Sequence, residues 1–397
     1  MFGKISWQPT PDNVRLPRDN VIFPSMIFRK VVVNKIFDKY AQVLVDYSLG
    51  LKKDQKLLIR ASYLAEDMIK AVYKHAIEAG AHPEFQIALN GTEKIFYDSA
   101  SDDQLKYISP RGKYVVDNFD AVLNVISPFN MKELQSVPAE KKQAVSIART
   151  DLNKTFMTRA GAGELSWTLC VFPTDAAAQE AGMSLSEYED FVYGACFLFE
   201  DDPVAMWQNL AADQQKVVDF LNTKKKIRYA SADVDIEFSV DSRTWINSAG
   251  ENNMPSGEVF TAPVEDSVNG KVRFSFPGFY MGQEIEDISL EVKDGEVVKW
   301  DAAKGADLLD KIFDIPGARR FGEVAVGMNH GIQKFTKNML FDEKIGGTIH
   351  MAVGACYPET GGTNESSVHW DMLADMREGG QIFADDELIY ENGKFII

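Results

Sequence analysis

The sequence predicts an α/β N-terminal domain with a mainly parallel sheet, followed by a strand-rich α+β C-terminal domain. Three observations carry that expectation. A strand, helix and strand follow one another between residues 56 and 89, the signature of a right-handed βαβ unit. After "NTKKKIRYAS" (222–231) the texture changes to alternating and hairpin-like strands. The length of 397 residues also exceeds what one hydrophobic core usually serves. The expected organisation is an extended arm over 1–30, an α/β domain over 31–230 and an α+β domain over 231–397.

The elements follow in order. The start, "MFGKISWQPTPDNVRLPRDNVIFPS", is rich in proline and has no apolar run of the kind a signal peptide carries, so it reads as an extended arm. From residue 35, Ile36, Tyr40, Val43, Leu44 and Tyr47 recur at helical spacing until Gly50. "KLLIRA" (56–61) is short and apolar, a buried strand; "LAEDMIKAVYKHAIEAGA" (64–81) is a helix; "HPEFQIAL" (82–89) is a strand again. "DAVLNVIS" (120–127) and "WTLCVFP" (167–173) read as further buried strands. Residues 184 to about 225 read as helical, with a break at "EDDP" near 200. Beyond 230, "DVDIEFSV", "KVRFSFP", "ISLEVKDGEVVKW" and "ELIYENGKFI" alternate or fold back on themselves. Asp294-Gly295 and Asn392-Gly393 stand where two-residue hairpin turns belong.

Composition narrows the partners. A net charge of −17 disfavours nucleic acid and anionic membranes, both of which need a basic surface. It favours cationic ligands, such as a metal ion or a free amino group. Cys170, Cys196 and Cys356 have no CxxC spacing, which fits a reducing, cytoplasmic setting. No run of 18 apolar residues occurs.

Familiar catalytic signatures do not account for the chain. "RAGAGEL" (159–165) lacks the third glycine of a dinucleotide-binding turn. There is no GxxxxGK[ST] loop, GxSxG elbow or HExxH helix. Ser366, Ser367, His369 and Asp371 lie within one short segment, whereas a triad converges from separate elements.

What remains is a set of acids and histidines after residue 250. In "FGEVAVGM" (321–328), Glu323 shares its face with Ala325 and Gly327 under strand alternation. In "TIHMAVG" (348–354), His350 shares its face with Ala352 and Gly354. In "SSVHWDM", His369 and Asp371 share one face while Trp370 takes the other. Glu258 begins a short strand in "MPSGEVFTAP" (254–263). Small neighbours leave room before Glu323 and before His350. A structural ion pair explains that pattern as well as a metal does, and each residue alone has an ordinary reading. Glu258 can be a solvated turn residue, His350 a hydrogen-bonded core histidine, and Tyr357 a packing residue. His75, His82 and His330 are left as non-ligands. Taken jointly, oxygen and imidazole donors without thiolates suit zinc, cobalt or manganese in an open site. Glu258, Glu323, Glu343 and Asp371 bring four negative charges, which two divalent cations would balance.

The same segments resemble the M29 family of metallo-aminopeptidases, the aminopeptidase T group. The resemblance rests on "NMPSGEVFTAPVEDSVNG" (253–270), "GARRFGEVAVGMN" (317–329), "LFDEKIGGTIHMAVGACYPETGG" (340–362) and "SSVHWDM" (366–372). "YSLGLKKDQKLLIRAS" (47–62) and "VFPTDAAAQEAGMSLSEYEDFVYGAC" (171–196) extend it into the first half. It implies metal ligands at Glu258, Glu323, Glu343, His350, His369 and Asp371, and a catalytic tyrosine at Tyr357. "DEKIGGTIH" carries two more residues before the histidine than some relatives, and the stretch from His350 to His369 is shorter than in bacterial members. It further implies two divalent ions per subunit, zinc or cobalt and also manganese. The implied activity is hydrolysis of the N-terminal residue from peptides with a free N-terminus, through a metal-activated bridging water, in a homodimer. A metal-dependent amidase acting on small non-peptide amides is the alternative, and a structural metal in a binding module is a third reading.

Overall fold

The computed structural model describes residues 35–280 and 283–397. The expected arm over 1–30 lies outside the described residues. The first helix, Lys35–Gln42, continues as a π-helix over Val43–Ser48 before Gly50 turns with φ +54°. Of the predicted face, Tyr40, Val43 and Leu44 are buried and Ile36 and Tyr47 half-buried, and Phe37, Ala41 and Val45 are buried beside them.

Four strands, β1 (Lys56–Ser62), β2 (His82–Ala88), β3 (Ala121–Ile126) and β4 (Ser166–Val171), pair in parallel. Leu57, Leu58 and Ile59 are fully buried on successive positions, as a strand covered on both faces requires. The crossover from β1 to β2 is the helix Glu66–Glu78, which buries Met68, Ile69, Ala71, Val72 and Ala76. Its acidic first turn, Glu66 and Asp67, suits the positive end of the helix dipole. Two helices, Leu185–Ala195 and Pro203–Leu221, follow, parted at the expected break.

Next come β5 (Lys226–Ala230), β6 (Val234–Ser239), β7 (Ile246–Ser248), β8 (Asn253–Met254), β9 (Glu258–Thr261) and β10 (Asn269–Phe274). The two residues of β8 return to β4 and extend the parallel sheet, giving the order β2-β1-β3-β4-β8. β11 (Gly278–Tyr280) and β12 (Gln283–Ile285) form a small ribbon. β13 (Ile288–Lys293) and β14 (Glu296–Asp301) form a hairpin. Its turn residues Asp294 and Gly295 have φ +49° and +79°, the paired positive values of a type I′ turn. A Cβ on Gly295 would stand 1.8 Å from the Glu265 carbonyl oxygen, so close backbone approach also demands glycine there.

The last strands are β15 (Phe321–Gly327), β16 (Thr348–Gly354), β17 (His369–Asp375), β18 (Gln381–Ala384), β19 (Glu387–Glu391) and β20 (Lys394–Phe395). They complete two antiparallel sheets, β14-β13-β10-β6-β5-β18-β19-β20 and β17-β16-β15-β9-β7. Tyr229, Phe238 and Phe274 from the first sheet share one core with Val324, Val326, Ile349, Met351, Val353 and Trp370 from the second. The sheets therefore pack face to face. One face of the five-stranded sheet is spent on this core, which leaves its other face to the polar residues that alternate with it. Among the described residues, no helix is long and apolar enough to cross a membrane.

Candidate metal centre

The antiparallel register sets the polar residues side by side. Glu323 on β15 pairs with Ala352 on β16, and Ala352 in turn with Asp371 on β17. His350 pairs with Ala325, His369 with Gly354 and Glu258 with Gly327. Each acid or histidine therefore has alanine or glycine as its partner on one side, while on the other His350 pairs with Leu373 and Glu258 with Ser248. The backbone of Glu258 is held from behind by the helix Pro203–Leu221, where Gln214 Nε2 donates to the Glu258 carbonyl at 2.9 Å.

Glu323 is the centre of the set. Its Oε1 lies 3.2 Å from His350 Nε2 and its Oε2 3.2 Å from His369 Nε2. His350 Nε2 also lies 3.5 Å from Glu258 Oε2, and His369 Nε2 lies 3.6 Å from Asp371 Oδ2. Glu323, His350 and Asp371 each offer one ligand atom within 4.8 Å of the others. His369 Nδ1 donates to the Ala355 carbonyl at 2.7 Å, which fixes the tautomer with Nε2 toward the carboxylates.

Glu343 caps the short helix Met339–Asp342 and joins the group through Lys344. Lys344 is fully buried, with Nζ 3.1 Å from Glu258 Oε1 and hydrogen-bonded to Glu343 Oε1. The sequence reading did not include Lys344. With the Lys344 ammonium counted, four carboxylates and two divalent cations would leave one positive charge in excess. Tyr357 stands at the rim on the loop after β16, its ring 4.9 Å from that of His369 and 5.6 Å from that of Phe260. Of the remaining histidines, His75 pairs with Asp38 at 3.1 Å and His330 is exposed in its loop.

The electrostatics are those of groups crowded away from water. Burial works against ionisation of Glu323, but hydrogen bonds from His350 and His369 outweigh it and hold the carboxyl down at about 2. Burial would lower both histidines; the bond to Glu323 and the surrounding carboxylates instead raise His350 to about 9 and His369 to about 10. Asp371 is pushed up to about 6, first by burial and then by the charge of Glu343. Burial likewise raises Glu343. Lys344 is raised against its burial by Glu258 and Glu343. The Tyr357 hydroxyl is pushed above its usual range by burial and then by the nearby carboxylates.

These residues fit a divalent metal. Glu258 Oε2 and Asp371 Oδ1 are buried oxygens with no hydrogen-bond partner among the described residues. Burying such oxygens unsatisfied is costly, and a bound cation at each would satisfy them. The donors are carboxylate and imidazole only, which suits zinc, cobalt or manganese.

The loops around the set are joined by Asn329. Its amide donates to the carbonyl of Ala195 at 3.1 Å and to that of Ser256 at 2.8 Å, and its Oδ1 accepts from Gly331 N at 2.9 Å. Its backbone N–H donates to the Lys344 carbonyl at 3.0 Å.

Several known proteins resemble this chain over most of its length. Aminopeptidase 2 of Geobacillus stearothermophilus is 29% identical over 380 residues, covering 85% of this chain and 91% of that protein. Aminopeptidase AmpS of Bacillus subtilis (strain 168) is 28% identical over 408 residues, covering 90% and 97%. Aminopeptidase T of Thermus aquaticus is 26% identical over 381 residues, covering 86% and 92%. Wild-type AmpT from Thermus thermophilus shares the fold, with a TM-score of 0.78 at 23% identity over 92% of this chain and all of that one. The family described as thermophilic metalloprotease (M29) matches residues 33–395. With nearly the whole length matched, the sheet that carries the acids and histidines included, the chain belongs to the M29 metalloproteases.

Proposed function

We propose that the chain is a two-metal aminopeptidase that removes the N-terminal residue from peptides with a free α-amino group. Metal-dependent hydrolysis of peptides follows from membership of the family and from relatives named aminopeptidases. The observation that carries the finer reading is the placement of Glu323 between His350 and His369, one carboxylate oxygen facing each. Two half-sites result, one with His350 and Glu258, the other with His369 and Asp371, and Glu323 belongs to both. Glu343 completes the first through Lys344. Glu258, Glu323, Glu343, His350, His369 and Asp371 are the proposed ligands of two ions, zinc or cobalt and also manganese. When bound, such a pair activates a bridging water and polarises the scissile carbonyl.

The chain's own groups do the rest. His369 is oriented by Ala355, so its Nε2 is presented without reorganisation. Tyr357 remains protonated at neutral pH because burial and the carboxylates oppose its ionisation. Its hydroxyl is the proposed hydrogen-bond donor to the oxygen that gains charge in the transition state. A free α-amino group would meet a metal or a site carboxylate where a blocked one cannot, which restricts cleavage to the chain end. The homodimer and cytoplasmic setting belong to the same proposal.

Glu323→Gln tests it. The isostere keeps the volume but weakens both half-sites. Metal content measured by elemental analysis should fall, and turnover of aminoacyl anilides should drop about a hundredfold or more, while cooperative thermal unfolding persists. Full metal content with unchanged turnover would reject the ligand assignment. Preference for N-acetylated over free-amine anilides would reject the aminopeptidase reading.

A further inference from the structure

The parallel sheet carries a second constellation, built from residues the metal centre does not use. Arg60 on β1 pairs in register with Gln86 on β2 and with Asn124 on β3. The three form one transverse row, and each stands two residues before the end of its strand. The strand order β2-β1-β3-β4 places the change of winding direction between β1 and β3. Open α/β sheets bind ligands at this switch point, outside the carboxyl ends of the strands.

A cavity of about 790 Å³ opens over that row. Arg111, in the first turn of the helix Pro110–Asn118, and Arg149, between the helices Ala139–Ala148 and Thr150–Gly161, line it together with Arg60. Tyr107, Phe156 and Trp167 supply aromatic walls, and neither Asp nor Glu lines it. Other arginines of the chain find carboxylates: Arg243 with Glu265, Arg273 with Asp233, Arg320 with Glu296 and Arg377 with Asp375. Among the described residues, the guanidinium groups of Arg60, Arg111 and Arg149 have no ion pair or hydrogen-bond partner. Arg60 is also held below its usual range, first by burial and then by the charges of Arg111 and Arg149. Three like charges are thus gathered in one concavity of a chain whose net charge is −17. An anion in the cavity is what would satisfy them.

We propose that this crevice binds a small molecule bearing a carboxylate or phosphate on an apolar or aromatic body. The guanidinium forks match the geometry of either oxyanion and can bind it through paired hydrogen bonds. Gln86 and Asn124 add neutral hydrogen bonds beside Arg60, and Tyr107, Phe156 and Trp167 cover the body. The shared chemistry has two sources, the carboxyl end of a peptide and a nucleoside phosphate.

Calorimetric titration of the full, metal-loaded chain separates them. The probes are N-acetylphenylalanine, N-acetylphenylalanine amide and adenosine monophosphate. Saturable binding of the free acid but not of its amide supports the site with a carboxylate ligand. Saturable binding of the nucleotide alone supports it with a phosphate ligand. In either case Arg111→Gln and Arg149→Gln, both at exposed positions, should each weaken binding about tenfold. Turnover of aminoacyl anilides, which carry no oxyanion, should stay unchanged in both variants. Equal binding of acid and amide, unaltered affinity in both variants, or no binding of any probe up to about 10 mM would overturn the proposal.

Discussion

Lys344 has none of its surface exposed and stands between Glu258 and Glu343. A buried ammonium holds its charge only when paired, and removing one partner of such a set leaves the other charges uncompensated. Lys344→Met should therefore destabilise the metal-free protein by about 3–5 kcal/mol, with a smaller loss when a divalent cation supplies the missing charge. Urea denaturation with chelator and with added zinc measures both, and equal losses in the two conditions would contradict the assigned role. Glu323 and His350 were legible in the sequence because each stood on a strand face among alanine and glycine. Lys344 was not legible. Lysine is ordinarily a surface residue, and this one sits in a turn after a four-residue helix, where no alternation reveals which way it points.

The element that decides the site is the three-strand run β15-β16-β17. Period-two alternation predicted its polar face, and the observed register adds the transverse row Glu323, Ala352, Asp371. Ala352 is fully buried in the middle of that row. Ala352→Leu would thrust a branched side chain between the two carboxylates. The expected outcome is a marked fall in metal content, with a folded sheet destabilised by about 1–3 kcal/mol. Elemental analysis beside thermal unfolding separates the two effects; full metal content in a folded variant would refute the space argument. Other elements left little trace in the sequence. β8 is two residues long and pairs through its backbone with β4, so no side-chain pattern announces it. The π-helix over Val43–Ser48 keeps the apolar face of the helix before it, and spacing alone does not separate the two.

For the molecule as a whole, the site couples stability to pH and to metal. In the metal-free protein His350 and His369 are raised from 6.5 to about 9 and about 10. Groups raised in the folded state contribute fully below their unfolded value and lose that contribution as pH rises through the folded one. Metal-free stability should accordingly decline between pH about 6.5 and about 10, and Asp371, raised from 3.8 to about 6, adds an earlier loss as pH rises across that lower window. Glu323, lowered from 4.5 to about 2, acts oppositely and is lost only on strong acidification. Because metal binding needs neutral imidazoles, loading at pH about 7.5 should release about two protons. Calorimetry in buffers of different ionisation enthalpy reads that number, and no proton release would contradict the assigned charge states. The change from parallel to antiparallel pairing was legible in the strand patterns. That two antiparallel sheets close on one shared core was not, because alternation gives a buried face without naming what covers it.

Asn329 joins the first half of the chain to the second by donating to the carbonyls of Ala195 and Ser256. Both acceptors are main-chain atoms, which every amino acid supplies, so the joint asks for one particular side chain and is blind to the other two. Recombining the first half of this chain with the second half of a distant relative would then be limited at this seam by the path of the backbone and by a single amide. Asn329→Asp would turn that seam from two donated hydrogen bonds into oxygen facing oxygen.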